Sequence, residues 1–168
     1  MSAYRSTPID GAHDVAQFCC AGEDSLDRYL VNEALTAHER GASRTHVWLD
    51  ESRVVAYYTL LPSTVTTKGL PRAVRSGFSG GIPGFTIGKL ALDQTLRGRK
   101  LGGDLLVDAL ASVVSAADHV GGRVIMVEAI DNKAFSFYES AGFEGIASSY
   151  ELWMALDTAR EALNGLRA

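Results

Sequence analysis

Apolar positions follow two rhythms along this chain. Alternating or β-rich runs predict strands at Thr45–Leu49, Val54–Leu61 and Thr86–Asp93. Val124–Val127 is apolar without a break, the pattern of a strand buried on both faces and parallel to a neighbour. Helical spacing puts Leu26, Tyr29, Leu30, Ala34 and Ala37 on one face of a helix opened by Asp24 or Ser25 and ended by Gly41. A broader stripe from Leu101 through Leu105, Leu106, Ala109, Leu110 and Val113 to Ala117 predicts a helix reaching about His119, broken by Gly121-Gly122. A shorter helix, Asn132–Ser140, stops at Ala141-Gly142. Phe143–Ile146 and Tyr150–Met154 read as closing strands, Asp157–Leu166 as a terminal helix and residues 3–9 as a brief first strand.

Asp50-Glu51-Ser52 joins two of the strands as a hairpin. Pro62–Gly84 is rich in Gly, Pro and Ser and reads as a long loop with a short helix near Pro71–Val74; such loops usually carry function. Strands alternate with helices in the second half, which implies an α/β chain with a mixed sheet and right-handed crossovers. No repeat or linker divides it, so residues 1–168 are expected to form one domain.

One stretch organises the rest: Phe85–Leu110, a strand, a basic glycine-bearing turn (Arg97-Gly98-Arg99-Lys100-Leu101-Gly102-Gly103) and a helix. The first N–H groups of a helix have no partner within it, and the helix dipole adds roughly half a positive charge there. A strand that feeds such a turn is a ready anion site, read here as a cradle for a diphosphate.

Charge sharpens this picture. Between Lys68 and Lys100 stand seven basic residues and one acid, Asp93, so that segment carries +6 and the rest of the chain −10 of the net −4. A basic region on an acidic body is a local anion-binding footprint rather than the mark of a general nucleic-acid binder. Apolar content of 46% and charged content of 21% suit an ordinary globular protein. No apolar run approaches the ~20 residues that span a membrane, and MSAYRSTPIDG lacks the basic-then-apolar order of a signal peptide. Cys19 and Cys20 are adjacent and form no spaced disulfide framework, which points to a reduced, cytoplasmic setting. His13, His38, His46 and His119 show no metal-ligand spacing, and no metal is expected.

Two blocks together resemble the GNAT superfamily of acyl-CoA N-acyltransferases. Leu90-Ala91-Leu92-Asp93 with Arg97-Gly98-Arg99-Lys100-Leu101-Gly102 is similar to its Gln/Arg-x-x-Gly-x-Gly/Ala signature. Ala134–Phe143 is similar to its Ala-x-x-Phe-Tyr-x-x-x-Gly-Phe block. Upstream, His13, Phe18, Cys20, Gly22, Leu26–Leu30, Gly41–Thr45 and Val54–Leu60 resemble one subgroup, the GNAT toxins of bacterial toxin–antitoxin pairs. The likeness covers about residues 10–155. Lys100 stands where the signature has its first glycine, Cys19-Cys20-Ala21-Gly22 is one residue longer than the subgroup's Phe-x-Cys-Gly, and Asp131 stands where many relatives have Asn. Because a lysine takes positive φ only at a cost, the backbone at Lys100 is expected to be helical already.

The resemblance implies a splayed central mixed sheet flanked by helices, with acetyl-CoA as cofactor and the α-amino group of aminoacyl-tRNA as acceptor, acetylation of which blocks translation. Backbone N–H groups from Gly98 to Gly103, with Leu101 and Gly102 between them, would take the diphosphate, and Arg97, Arg99 or Lys100 would add charge. Leu90, Ala91 and Leu92 would offer strand-edge groups to the pantetheine arm. Tyr138 would give a proton to the departing thiolate; without the resemblance it reads as a core tyrosine beside Phe135, Phe137 and Phe143. An α-amino group titrates near 8 or below, so a dedicated base is unnecessary, and Glu128 and Asp131 read as caps or solvated acids. Lys68, Arg72, Arg75 and Lys89 would meet the tRNA backbone. The implied partners are a ribbon-helix-helix antitoxin and a second copy of the chain. A GNAT enzyme acting on a small amine, an antibiotic or a protein N-terminus, and a non-catalytic CoA-binding module, remain as other readings.

Overall fold

The two strands of the hairpin are longer than their apolar runs. β2 (Arg44–Asp50) and β3 (Arg53–Val65) pair antiparallel around Glu51 and Ser52, with Glu51 at φ +57 in the tight turn. The structure, a computed structural model, describes residues 3–66 and 68–168. The seven strands are β1 (Thr7–Pro8), β2, β3, β4 (Ile82–Leu92), β5 (Val124–Glu128), β6 (Glu144–Gly145) and β7 (Glu151–Ala155), in the sheet order β1-β2-β3-β4-β5-β7-β6. β4 and β5 are parallel and the other assigned pairs antiparallel, so the sheet is mixed, as the alternation of strands and helices implied.

The chain forms two compact units, one from the residues up to Leu61 together with Gly88–Ala109, the other from Pro62–Ile87 together with Leu110–Ala168. In the first, α1 (Asp24–Asn32) buries Leu26 and Leu30 against Phe18, Val47, Val54 and Tyr57. The single helix expected up to Gly41 is broken: Glu33, at φ −130, closes α1, and α2 (Ala34–Glu39) begins anew. Asn32 is a weak helix former, but nothing in the local sequence forbids continuation there. The N-cap is Glu23, whose carboxylate accepts the Ser25 N–H, rather than Asp24 or Ser25. β1 is only two residues long, with Ile9 N–H still reaching the Thr45 carbonyl at 3.0 Å beyond it. Asp108 on α4 (Leu101–Val120) accepts from Ser6 Oγ, Tyr58 OH and Trp48 Nε1 at 2.9, 3.2 and 2.8 Å, tying the helix to β2, β3 and the residue just before β1.

In the second unit β3 runs on to Val65 and β4 starts at Ile82, so the loop is shorter than the glycine content suggested. Leu70 and Phe78 pack with Val65, Ile82, Val124 and Trp153, on either side of the single turn α3 (Arg72–Arg75). The parallel ladder runs from Gly84↔Val124 to Ile87↔Val127. Gly84 is required here, since a Cβ would lie 2.4 Å from the Val124 carbonyl oxygen. β5 lies between β4 and β7, and α5 (Asn132–Ser140) and α6 (Leu156–Arg167) complete the unit. Among the described residues no helix is long and apolar enough to cross a membrane.

Candidate active site

β4 outlasts its pairing with β5. The ladder stops at Ile87↔Val127, whereas β4 continues to Leu92, so Leu90, Ala91 and Leu92 have no β5 partner. Ala91 is buried and its neighbours half-buried. Asp93 ends the strand and caps the 3-10 turn Gln94–Leu96 by accepting the Thr95 N–H at 3.0 Å. The chain then passes through Arg97–Lys100 into α4 at Leu101.

Two residues of this turn are left-handed, Gly98 at φ +74 and Lys100 at φ +57. The expectation of a helical Lys100 is therefore corrected. The cost is of order 1 kcal/mol for a side chain with a Cβ. Gly98 and Gly103 are exposed, and a Cβ on either would meet no other atom within 4 Å. Packing does not demand glycine at these two places; what they leave is open space beside the unpartnered N–H groups of a 20-residue helix, which suits a diphosphate. Asp104 in the first turn shares the positive end of the dipole.

The basic side chains of the turn divide. Arg97 donates from Nη2 to the carbonyl oxygen of Cys20, next to Gly22. Arg99 and Lys100 are exposed and form no ion pair among the described residues. Asp93, the one acid of the basic segment, is fully buried. Its Oδ1 accepts the Cys19 N–H at 2.9 Å, and its Oδ2 accepts from Arg53 Nη2 at 3.1 Å and Thr95 Oγ1 at 2.7 Å. Burial alone would raise its pKa; the hydrogen bonds from Thr95 and Cys19, and the Arg53 charge, outweigh burial and hold the carboxyl below its ordinary value. Thr95, two residues on, marks it locally only as a cap; Cys19 and Arg53, the partners that bury it in a network, lie far away in sequence.

Tyr138 belongs to the second unit. Asp131 caps its helix, α5, by accepting the Ala134 N–H at 2.8 Å, one of the two roles expected of that residue. The tyrosine ring is buried, edge-on to Phe137 and Phe143 at centroid distances of 5.3 and 5.7 Å. Burial pushes the phenol pKa up to about 12, so it holds its proton at every physiological pH.

Of the four cations expected at the acceptor, Arg72 and Arg75 are exposed on α3. Lys68 is exposed on the wall of a cleft of about 250 Å³ whose other sides include Ser63, Thr86, Met126 and Glu128. Glu128 caps no helix; it faces this cleft, opposite Glu151 in the β5–β7 register. Lys89, in the first unit, is half-buried with Nζ 5.3 Å from the centre of the Tyr29 ring. Leu90–Gly103 thus come together in the first unit, and Tyr138, Lys68, Arg72 and Arg75 belong to the second.

No family profile matches the chain. Over 146 residues, 86% of this chain and 87% of its relative, it is 40% identical to the tRNA-acetylating toxin of Mycobacterium tuberculosis. The crystal structure of a Tyr-to-Phe mutant of KacT matches with a TM-score of 0.88 at 25% identity, covering 95% of this chain and 98% of that one. AtaT complexed with acetyl-methionyl-tRNAfMet matches at 0.85 and 27% identity, with coverages of 95% and 98%. A Tyr-to-Phe mutant of AtaT bound to acetyl-CoA and the C-terminus of the antitoxin AtaR matches at 0.83 and 26%, with coverages of 97% and 99%. With an open glycine turn at the mouth of a long helix and this likeness along nearly its whole length, the chain belongs to the tRNA-acetylating toxins of the GNAT superfamily.

Proposed function

We propose that this protein transfers the acetyl group of acetyl-CoA to the α-amino group of an aminoacyl-tRNA and thereby stops translation, the whole chain acting as one acetyltransferase domain in the cytoplasm. The observation that carries the reading is the 40% identity, over 86% of the chain, to a tRNA-acetylating toxin. The AtaT complexes with acetyl-CoA and with acetyl-methionyl-tRNA support the same donor and acceptor.

Acetyl-CoA, when bound, supplies an activated acetyl thioester. The N–H groups of Gly98–Gly103 hold its diphosphate, and Arg99 and Lys100 add charge, while Arg97 is engaged with Cys20 and acts by shaping the turn. Leu90–Leu92 present strand-edge groups to the pantetheine arm. Tyr138 donates to the sulfur as charge develops on it. A phenol at about 12 is a weaker acid than a thiol near 8.5, so its transfer to the departing sulfur is uphill alone; the proton that the amine nitrogen sheds as the amide forms returns to the phenol and completes the exchange. The attacking amine needs no dedicated base, since a neutral fraction is already present near pH 7.

Lys68, Arg72 and Arg75 contact the phosphates of the acceptor arm, which gives affinity without sequence choice. The partner that silences the toxin is an antitoxin, which the AtaT–AtaR complex supports; its ribbon-helix-helix part and the toxin's homodimer rest on the sequence resemblance. The test is acetyl transfer in vitro from labelled acetyl-CoA to a panel of purified aminoacyl-tRNAs. N-acetylated aminoacyl-tRNA is the expected product. Transfer to free small amines with none to any aminoacyl-tRNA contradicts the reading.

A further inference from the structure

The floor of the phosphate turn is held by a segment remote from it in sequence. Cys19 is bound at both ends of its peptide unit: its N–H goes to Asp93 Oδ1 at 2.9 Å, and its carbonyl accepts the Gln94 N–H at 2.8 Å. Arg97 closes a third link, onto the Cys20 carbonyl. Cys20 is itself fixed, its N–H donating to Asp27 Oδ1 at 2.9 Å and its Sγ to the Glu23 carbonyl at 3.2 Å. The next residue, Ala21, is left-handed at φ +52, which turns the chain away into α1. Asp93 also ties the assembly to β3, through its N–H to the Val55 carbonyl at 2.8 Å and through Arg53. Residues 93–97 are therefore clamped from below immediately before the two left-handed residues that open the turn.

We propose that Cys19–Gly22 is a strap that sets the shape of the diphosphate-binding turn, and that Asp93, clamping this strap, is a positioning residue for the donor. The inference rests on the reading that this turn takes the diphosphate of acetyl-CoA. The carboxylate suits the task because it only accepts: two backbone N–H groups, a hydroxyl and a guanidinium converge on its two oxygens. Charged acceptors make the stronger and shorter bonds, and an amide in the same place would turn one NH2 group against those donors. The strap also explains why an arginine next to a phosphate site points elsewhere: it is the third link.

Two variants test the strap, Asp93→Asn, which keeps the shape and removes the charge, and Thr95→Val, which removes one exposed donor. CoA affinity is measured by calorimetry without any acceptor, so it reads the strap whether or not aminoacyl-tRNA proves to be the substrate. Turnover is then compared between acetyl-CoA and acetyl-pantetheine, which lacks the diphosphate. Asp93→Asn is expected to weaken CoA about 10–100-fold, the scale seen when groups orienting a binding shell are lost, and Thr95→Val about fivefold, the scale of one hydrogen bond. Acetyl-pantetheine kcat/KM stays at the parent value in both. Unchanged CoA affinity in a folded variant overturns the proposal, as does a fall in acetyl-pantetheine turnover that matches the fall with acetyl-CoA. If Asp93→Asn does not fold, Thr95→Val decides alone.

Discussion

The ring of Tyr138 stands edge-on to that of Phe143, 5.7 Å between centroids and inclined by 66°. This contact uses the ring and not the hydroxyl, so Tyr138→Phe keeps the packing of α5. The variant is expected to bind acetyl-CoA with parent affinity and to lose about 10²-fold or more in kcat, the usual scale for a lost general acid. An unchanged kcat removes Tyr138 from the chemistry.

The pH profile follows from the same burial. With its pKa at about 12, Tyr138 stays in its proton-bearing form far above neutrality. The acceptor amine, in contrast, must be neutral, and its ordinary pKa lies near 7.7–8.0 or lower in an ester. The kcat/KM for aminoacyl-tRNA should therefore rise from pH 6 and level off by about pH 8–9, with no falling limb in that range. A falling limb below pH 9 that disappears in Tyr138→Phe would mean that the phenol ionises early, against this account.

Lys100 is held at φ +57, where glycine is at home and lysine is not. Lys100→Gly should raise stability by about 0.5–1 kcal/mol, the left-handed strain less the greater entropy of glycine. In a chain of this size that is roughly 1–4 °C in Tm. The same change removes an exposed cation from the turn, so CoA binding weakens at low salt and the difference closes at high salt. A loss of stability would show that the lysine side chain holds the fold together here.

Arg72 and Arg75 are exposed on one turn of helix, without an ion pair among the described residues. Replacing both with Ala should raise the KM for aminoacyl-tRNA and reduce the slope of log affinity against log salt by up to about 2, while leaving the KM for acetyl-CoA alone. An unchanged salt slope places the tRNA elsewhere on the protein.

How much of this was legible in the sequence depends on the distance over which each feature is decided. Periodicity located the helix behind Leu105 and Leu106, and the unbroken apolar run at Val124–Val127 announced a parallel strand, because burial on two faces leaves that pattern wherever the strand lies. The break at Glu33 left no such trace, since Asn and Glu are both tolerated in helices. Lys100 defeated a local rule: glycine preference predicts right-handed backbone for a lysine, and the surrounding turn overrides it. Asp93 was invisible as a clamp because its partner Cys19 lies 74 positions away. Arg97, expected with Arg99 or Lys100 to add charge at the diphosphate, also donates from Nη2 to a backbone carbonyl that no sequence rule could have paired with it.

The central claim is that this protein marks the amino acid of charged tRNA, with Tyr138 as the proton donor. Induced expression of the parent protein and of Tyr138→Phe in parallel bacterial cultures, followed by mass analysis of the amino acids released from tRNA, tests it most directly. The account predicts N-acetylated amino acids and arrested growth with the parent protein, and neither with the variant. Arrest without any acetylated amino acid on tRNA, or equal acetylation by the two proteins, would contradict it.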